Sequence, residues 1–146
     1  STCDAIATNV DFAPTFLDYA GARIPSYMQG HSMRSVLEGH EPENWQTSAY
    51  HRYWMHKDEY HNAWAHYGLR NQRYKLIYWY NAGLGQPGAA GSDEAPEWEL
   101  FDCKADPLEL FNIAHDPRHA DAFKAMVREL DVKMAEIGDI PEHSAA

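Results

Sequence analysis

Two side chains in the middle of this chain could do chemistry together. His66 can act as acid, base or hydrogen-bond partner, and Arg70 is a fixed cationic fork suited to a carboxylate or an ester anion. With Gly68 between them they fall two apart, so on a strand all three point to one face. His51, Arg52 and Tyr53 precede them with the same mixture of imidazole, guanidinium and phenol. His51, His56, His61 and His66 recur every five residues, which invites a metal reading. A period of five alternates faces on a strand and scatters around a helix, so the spacing argues against a shared metal ion. No Gly-x-Ser-x-Gly, phosphate-cradling glycine loop or His-Glu-x-x-His is present, so the chain shows no nucleophile of its own.

The elements that must hold these groups follow from periodicity. Residues 66–80 form two alternating aromatic runs around a polar break, the pattern of a β-hairpin with one dry face. Strands are expected at about Thr47–Trp54, Trp64–Arg70, Arg73–Tyr80 and Trp98–Asp102, with a turn at Asn71-Gln72. A long loop carrying four glycines and a proline lies between the last two strands. Leu108–Ile113 is expected to make one helical turn. Asp116-Pro117 reads as an N-cap and first-turn proline, opening a helix whose stripe is Phe123, Met126, Val127, Leu130, Met134 and Ile137. Earlier, Thr8-Asn9-Val10-Asp11 has the form of a capping box with Asp for Glu. Its helix starts near Asp11 or Phe12, which leaves Pro14 in the first turn, and stops at Gly21. Met33, Val36 and Leu37 suggest a short second helix after Ser32. The fold class is α+β: a small four-stranded antiparallel sheet with a long C-terminal helix on one face. The boundary falls near Pro42, giving units 1–40 and 41–146.

Composition narrows the functions. The net charge of -10 argues against nucleic acid as a partner, although Tyr50–Lys75 holds five cations against two carboxylates. No apolar run reaches the roughly eighteen residues of a membrane span. Ten of the nineteen aromatics lie between Tyr50 and Tyr80; most are expected in the core, and some could line a pocket and stack on sugar faces. Cys3 and Cys103 could form one disulfide or none. Starting at Ser with an early helix, the sequence reads as a piece of a longer chain.

The order Val10-Asp11-Phe12-Ala13-Pro14-Thr15-Phe16-Leu17, then Gln29-Gly30-His31-Ser32, His66-Tyr67-Gly68-Leu69-Arg70, Arg73-Tyr74-Lys75-Leu76-Ile77, Glu99-Leu100-Phe101-Asp102 and Asp106-Pro107-Leu108-Glu109 resembles the C-terminal third of type I sulfatases. It resembles most the branch acting on N-acetylglucosamine-6-sulfate and related glycan sulfates. The resemblance implies a parent with an alkaline-phosphatase-like α/β domain, calcium and a formylglycine made in a Cys-x-Pro-x-Arg motif. It also implies that residues 1–40 are the tail of that domain and 41–146 the C-terminal subdomain, inactive alone. The missing catalytic domain and a sulfated carbohydrate are then its partners, and His66, Arg70, His51, Arg52 and Tyr53 are the expected substrate contacts. Phe12, Phe16 and Leu17 should lack partners and could drive self-association. Cys103, where relatives usually have Leu, should be a buried, inert thiol. A carbohydrate-binding module without catalysis, or part of a related phosphonate or phosphodiester hydrolase, are the competing readings.

Overall fold

A computed structural model describes residues 2–91 and 93–143. Backbone contacts divide the chain into two compact units, Ser1–Ala49 and Tyr50–Ala146. The division comes later than Pro42, because Trp45 and Gln46 both donate to the carbonyl of Ile6 and so hold residues 42–46 in the first unit.

The first unit is organised on Asp11. A 3-10 turn, Asn9–Asp11, leads into α1, Phe12–Tyr19. The Asp11 carboxylate accepts from the Thr8 backbone N–H and hydroxyl, the His31 N–H and the Gln46 amide. These bonds hold its acid below the usual carboxylate range against the burial that would raise it. The late helix start is therefore observed, with Pro14 in the first turn. Gly30 makes the arrangement possible, since a Cβ there would lie 2.0 Å from the Val10 carbonyl oxygen. Gly21, at φ +65°, closes α1 with the paired bonds Gly21 N–H to Asp18 and Ala22 N–H to Leu17. The second helix, α2, is the short Arg34–Leu37.

Apart from Ser48 and Ala49 at the start of its first strand, the sheet belongs to the second unit. Its strands are β1 (Ser48–Tyr53), β2 (His66–Asn71), β3 (Tyr74–Trp79) and β4 (Glu97–Asp102), in the spatial order β1-β2-β3-β4. The β2–β3 pairing sets Arg70 opposite Lys75, so the two-residue turn is Gln72-Arg73, one position later than the sequence suggests. Asn71 explains the shift. Its side-chain oxygen accepts from the N–H groups of Arg73 and Tyr74 at 2.9 and 2.8 Å, which caps the turn from its first flank. Asn71→Ala is expected to lower stability by about 1 kcal/mol, as two modest hydrogen bonds give way to water; a urea midpoint shift at unchanged slope checks it.

Asp116 caps the 3-10 turn Pro117–His119 through the Arg118 N–H, and α3, Ala120–Ile137, follows. Its buried residues Met126, Val127, Leu130 and Met134 pack on Tyr67, Leu69, Leu76, Tyr78 and Leu100, all on one sheet face. Each such side chain contributes about 1.5–3 kcal/mol by leaving water. Leu108–Ile113 does not form the expected helical turn. Ile113 donates its N–H to the Leu100 carbonyl, and the Asn112 side chain bonds both Leu100 N–H and the Trp98 carbonyl, so the segment instead runs along the outer edge of β4.

Candidate functional site

The pairing register sorts the expected site residues onto two faces. His66, Trp79 and Glu97 align across β2, β3 and β4, followed by Gly68, Ile77 and Glu99, then Arg70, Lys75 and Phe101. These line the face opposite α3. His51 and Tyr53 of β1 join them: the His51 and His66 rings are 5.5 Å apart, edge to face, and Tyr53 stacks on His66 at 5.7 Å. Trp79 lies on the other flank of His66 at 4.4 Å. The result is a patch of four rings with His66 in the middle, of which Tyr53, His66 and Trp79 are half-buried and His51 is exposed.

Each ring is oriented by a separate bond. The Tyr53 hydroxyl donates to Asp58, and the Trp79 indole N–H donates to Glu99 at 2.8 Å. Asp58 also accepts the N–H groups of Tyr60 and His61, which shapes the loop between β1 and β2. The phenol–carboxylate bond pushes the Tyr53 pKa up to about 12 and holds Asp58 below the usual carboxylate range. His66 places Nδ1 2.7 Å from the Trp64 carbonyl oxygen.

His51 sits over Gly68, where an added Cβ would come 2.9 Å from its ring. The room beside the glycine, which the sequence suggests for a ligand, is taken by this imidazole. Burial of its inner edge, with smaller contributions from His66 and Lys75, pushes the His51 pKa down to about 4. The ring still has an exposed outer edge, so solvent screens part of this effect. The unfolded chain takes up a proton on His51 near pH 6.5, but the folded chain does so only near 4. Folding is therefore favoured above the higher value, and the contribution is lost as pH falls between the two. Urea titrations from pH 7 to 4 are expected to show a declining stability that His51→Gln flattens; an identical slope in both proteins would refute the assignment.

Arg70 stands about 13 Å along the strand from His66, four residues at the strand rise. Its guanidinium is 3.6 Å from Glu109, whose other oxygen pairs with Lys75. Glu109 adopts φ +55°, a conformation uncommon for a residue with a side chain, at the end of a turn in which its N–H donates to the Asp106 carbonyl. Arg70 therefore closes a structural clasp at the far end of the face.

Arg52 points the other way, toward α3. Its side chain is 4% exposed and bonds Asp139 at 2.9 Å and Glu142 at 3.0 Å. Its guanidinium lies 3.7 Å over the Trp54 ring. Grouping Arg52 with His51 and Tyr53 is corrected by the pleat, which turns adjacent residues to opposite faces. Of the five expected contacts, the structure brings together His51, Tyr53 and His66. It adds Trp79, which the register reveals only once β2 and β3 are paired.

Among the described residues, no group of three His, Cys, Asp or Glu side chains is placed to hold a metal ion. Cys3 is followed by Asp4-Ala5-Ile6 and Cys103 by Lys104-Ala105-Asp106, so neither lies in a Cys-x-Pro-x-Arg motif. The residues of this chain do not fit a calcium–formylglycine centre. Both thiols are free; Cys103 is half-buried rather than fully buried, and burial pushes its thiol pKa up.

Residues 1–136 match the family described as N-sulphoglucosamine sulphohydrolase, C-terminal. The chain is 42% identical over 133 residues to N-acetylglucosamine-6-O-sulfatase of Bacteroides thetaiotaomicron, covering 90% of this chain and 22% of that protein. A solved structure in complex with its substrate D-glucosamine-2-N,6-O-disulfate superposes with a TM-score of 0.80 at 40% identity, over 92% of this chain and 25% of that one. A phosphonate monoester hydrolase from Silicibacter pomeroyi shares the fold alone, with a TM-score of 0.64 at 23% identity over 86% of this chain and 24% of its own. The chain thus spans about a quarter of the length of the proteins it matches, and it belongs to the C-terminal domain family of the N-sulphoglucosamine sulphohydrolases.

Proposed function

We propose that this chain is the C-terminal part of a sulfatase acting on a sulfated sugar, and that it forms a wall of the substrate pocket without supplying the reacting groups. The observation that carries this reading is the 42% identity to an N-acetylglucosamine-6-O-sulfatase across 90% of the chain. The patch of His51, Tyr53, His66 and Trp79 is the surface suited to the task, since rings with polar edges both stack on a sugar and bond its substituents. The nucleophile and calcium ligands then belong to the remaining three-quarters of the parent. An N-terminal catalytic domain is also what the exposed residues of α1 call for: Phe12 is 49% and Phe16 68% exposed, and the two rings stack on each other. A periplasmic or secreted parent, rather than a cytoplasmic one, goes with this reading.

The competing reading as a free-standing carbohydrate-binding module separates from this one by activity. A polypeptide carrying the upstream coding sequence is expected to contain Cys-x-Pro-x-Arg and to release sulfate from N-acetylglucosamine 6-sulfate. In that enzyme His66→Ala is expected to lower kcat/KM about tenfold, the worth of one hydrogen bond in a water-poor site, with the melting temperature nearly unchanged. Equal turnover by both proteins would remove His66 from the pocket.

A further inference from the structure

Tyr67 and His143 fix each other through the inventory of their polar atoms. Tyr67, fully buried, accepts through its hydroxyl the N–H groups of Glu142 and His143 at 2.9 and 3.0 Å. A phenol oxygen has two lone pairs and one proton, so both acceptor places are filled and the proton is left for a third neighbour. That neighbour is Nδ1 of His143, at 2.6 Å. Burial pushes the Tyr67 pKa up to about 12, so the phenol keeps the proton it must donate. Nδ1 therefore carries a lone pair, and the ring proton sits on Nε2, which donates to Asp131 at 2.8 Å. The imidazole is 4% exposed and packs on the rings of Tyr78 and Trp98 at 5.4 and 5.1 Å.

Residues 139–143 form a strap that this pair fastens. Its other ties run from Asp139 and Glu142 to Arg52, and from Tyr50 to Asp139. A second ring proton on His143 would sit on Nδ1 and face a hydroxyl with no lone pair left to give. Tyr67 would then have to release one of the two strap amides. Asp131 pulls the other way, since it favours an imidazolium. Its side chain is 44% exposed, however, and an exposed ion pair is worth less than a buried hydrogen bond. The other titratable and charged groups around the ring are Tyr78 of β3, which burial keeps neutral, and Glu142 beside it in the strap, itself paired with Arg52 of β1. We infer that residues 139–143 are a proton-sensitive strap, which His143 fastens to Tyr67 while neutral and lets go on becoming an imidazolium. Release takes both carboxylates from Arg52 and uncovers Tyr67, Tyr78 and Trp98 on the helix side of the sheet.

The test is amide hydrogen exchange of the full chain, followed by NMR at pH 8 and pH 5 and corrected for the intrinsic pH dependence of exchange. The reporters are the N–H groups of Glu142 and His143. In the wild type their protection is expected to fall about tenfold toward pH 5, the worth of one buried hydrogen bond. In His143→Asn, whose side-chain oxygen can accept from Tyr67 and takes up no proton, it should stay level. The Leu130 amide of α3 should remain more protected than either, because only the strap opens. Level protection in the wild type would overturn the inference, as would an equal fall in both proteins, which would give the response to another group. So would one shared protection for all three amides at pH 5, the sign of whole-fold opening, or nitrogen NMR showing Nδ1 of His143 protonated at pH 8.

Discussion

Arg52→Ala is expected to lose about 3–5 kcal/mol of stability, the range for removing one partner of a buried charge pair. The reasons lie in what surrounds the guanidinium. It is enclosed between the rings of Trp54, Tyr67 and Tyr80, at 3.7, 5.1 and 5.0 Å from their centroids. Its outward nitrogens reach residues that follow α3: Asp139, the Ile140 carbonyl and Glu142. Tyr50 donates to the same Asp139, and the Tyr67 hydroxyl accepts the N–H groups of Glu142 and His143. Residues 139–143 are thereby laced over the helix-side face of the sheet, with His143 bridging Tyr67 and Asp131. Alanine would leave Asp139, 17% exposed, without its cation and open a void beside three aromatic rings. Arg52→Lys keeps the charge but loses the planar stack and the second ion pair, so it should fall between alanine and wild type. Urea unfolding followed by tryptophan fluorescence measures both. A loss below about 1 kcal/mol for alanine would mean that the clasp behaves as an ordinary surface ion pair.

Gly68→Ala is expected to be comparably damaging, for a steric reason. An added Cβ would stand 2.3 Å from the Leu76 carbonyl oxygen and 3.3 Å from the Ile77 Cα, both backbone atoms of β3. No rotamer change relieves that clash, so β2 and β3 must separate locally, and the His51 ring, 2.9 Å away, must leave its seat. Overpacking of this kind costs typically about 1–3 kcal/mol and more where backbone must move. The strand shift also displaces His66, two residues away, so in the full enzyme turnover should fall with stability. A double variant, Gly68→Ala with His51→Ala, separates the two contacts. Recovery of most of the loss would show that the imidazole is the obstacle, and persistence that the β3 backbone is. Unchanged stability in Gly68→Ala alone would contradict the close approach.

The long helix and the hairpin were legible because their signals are local. Asp116-Pro117 with the stripe from Phe123 to Met134 can fold only as a capped amphipathic helix, and it does. Alternation from Tyr67 to Tyr80 likewise demands a pair of strands, and they form, although consecutive buried residues such as Leu76, Ile77 and Tyr78 show that both faces are partly covered. Local rules also fail locally: Leu108–Ile113 has the apolar content of a helical turn, yet the open edge of β4 offered its backbone better hydrogen bonds. The Asn71 side chain moved the hairpin turn by one residue through bonds that no residue count displays.

The candidate site divides along the same line. Periodicity alone places His66, Gly68 and Arg70 on one face, because a strand turns each residue over with respect to the last; the same pleat sets Arg52 on the face opposite His51 and Tyr53, so the expected grouping of the three does not hold. Tertiary structure decided which face α3 covers, and so which of these residues became core. It also decided that Arg70 belongs to Glu109, thirty-nine positions away, and Arg52 to Asp139, eighty-seven away. Charge type announces that an arginine will seek an anion; only chain packing, through the distances it sets, determines whether that anion comes from the protein or from a substrate.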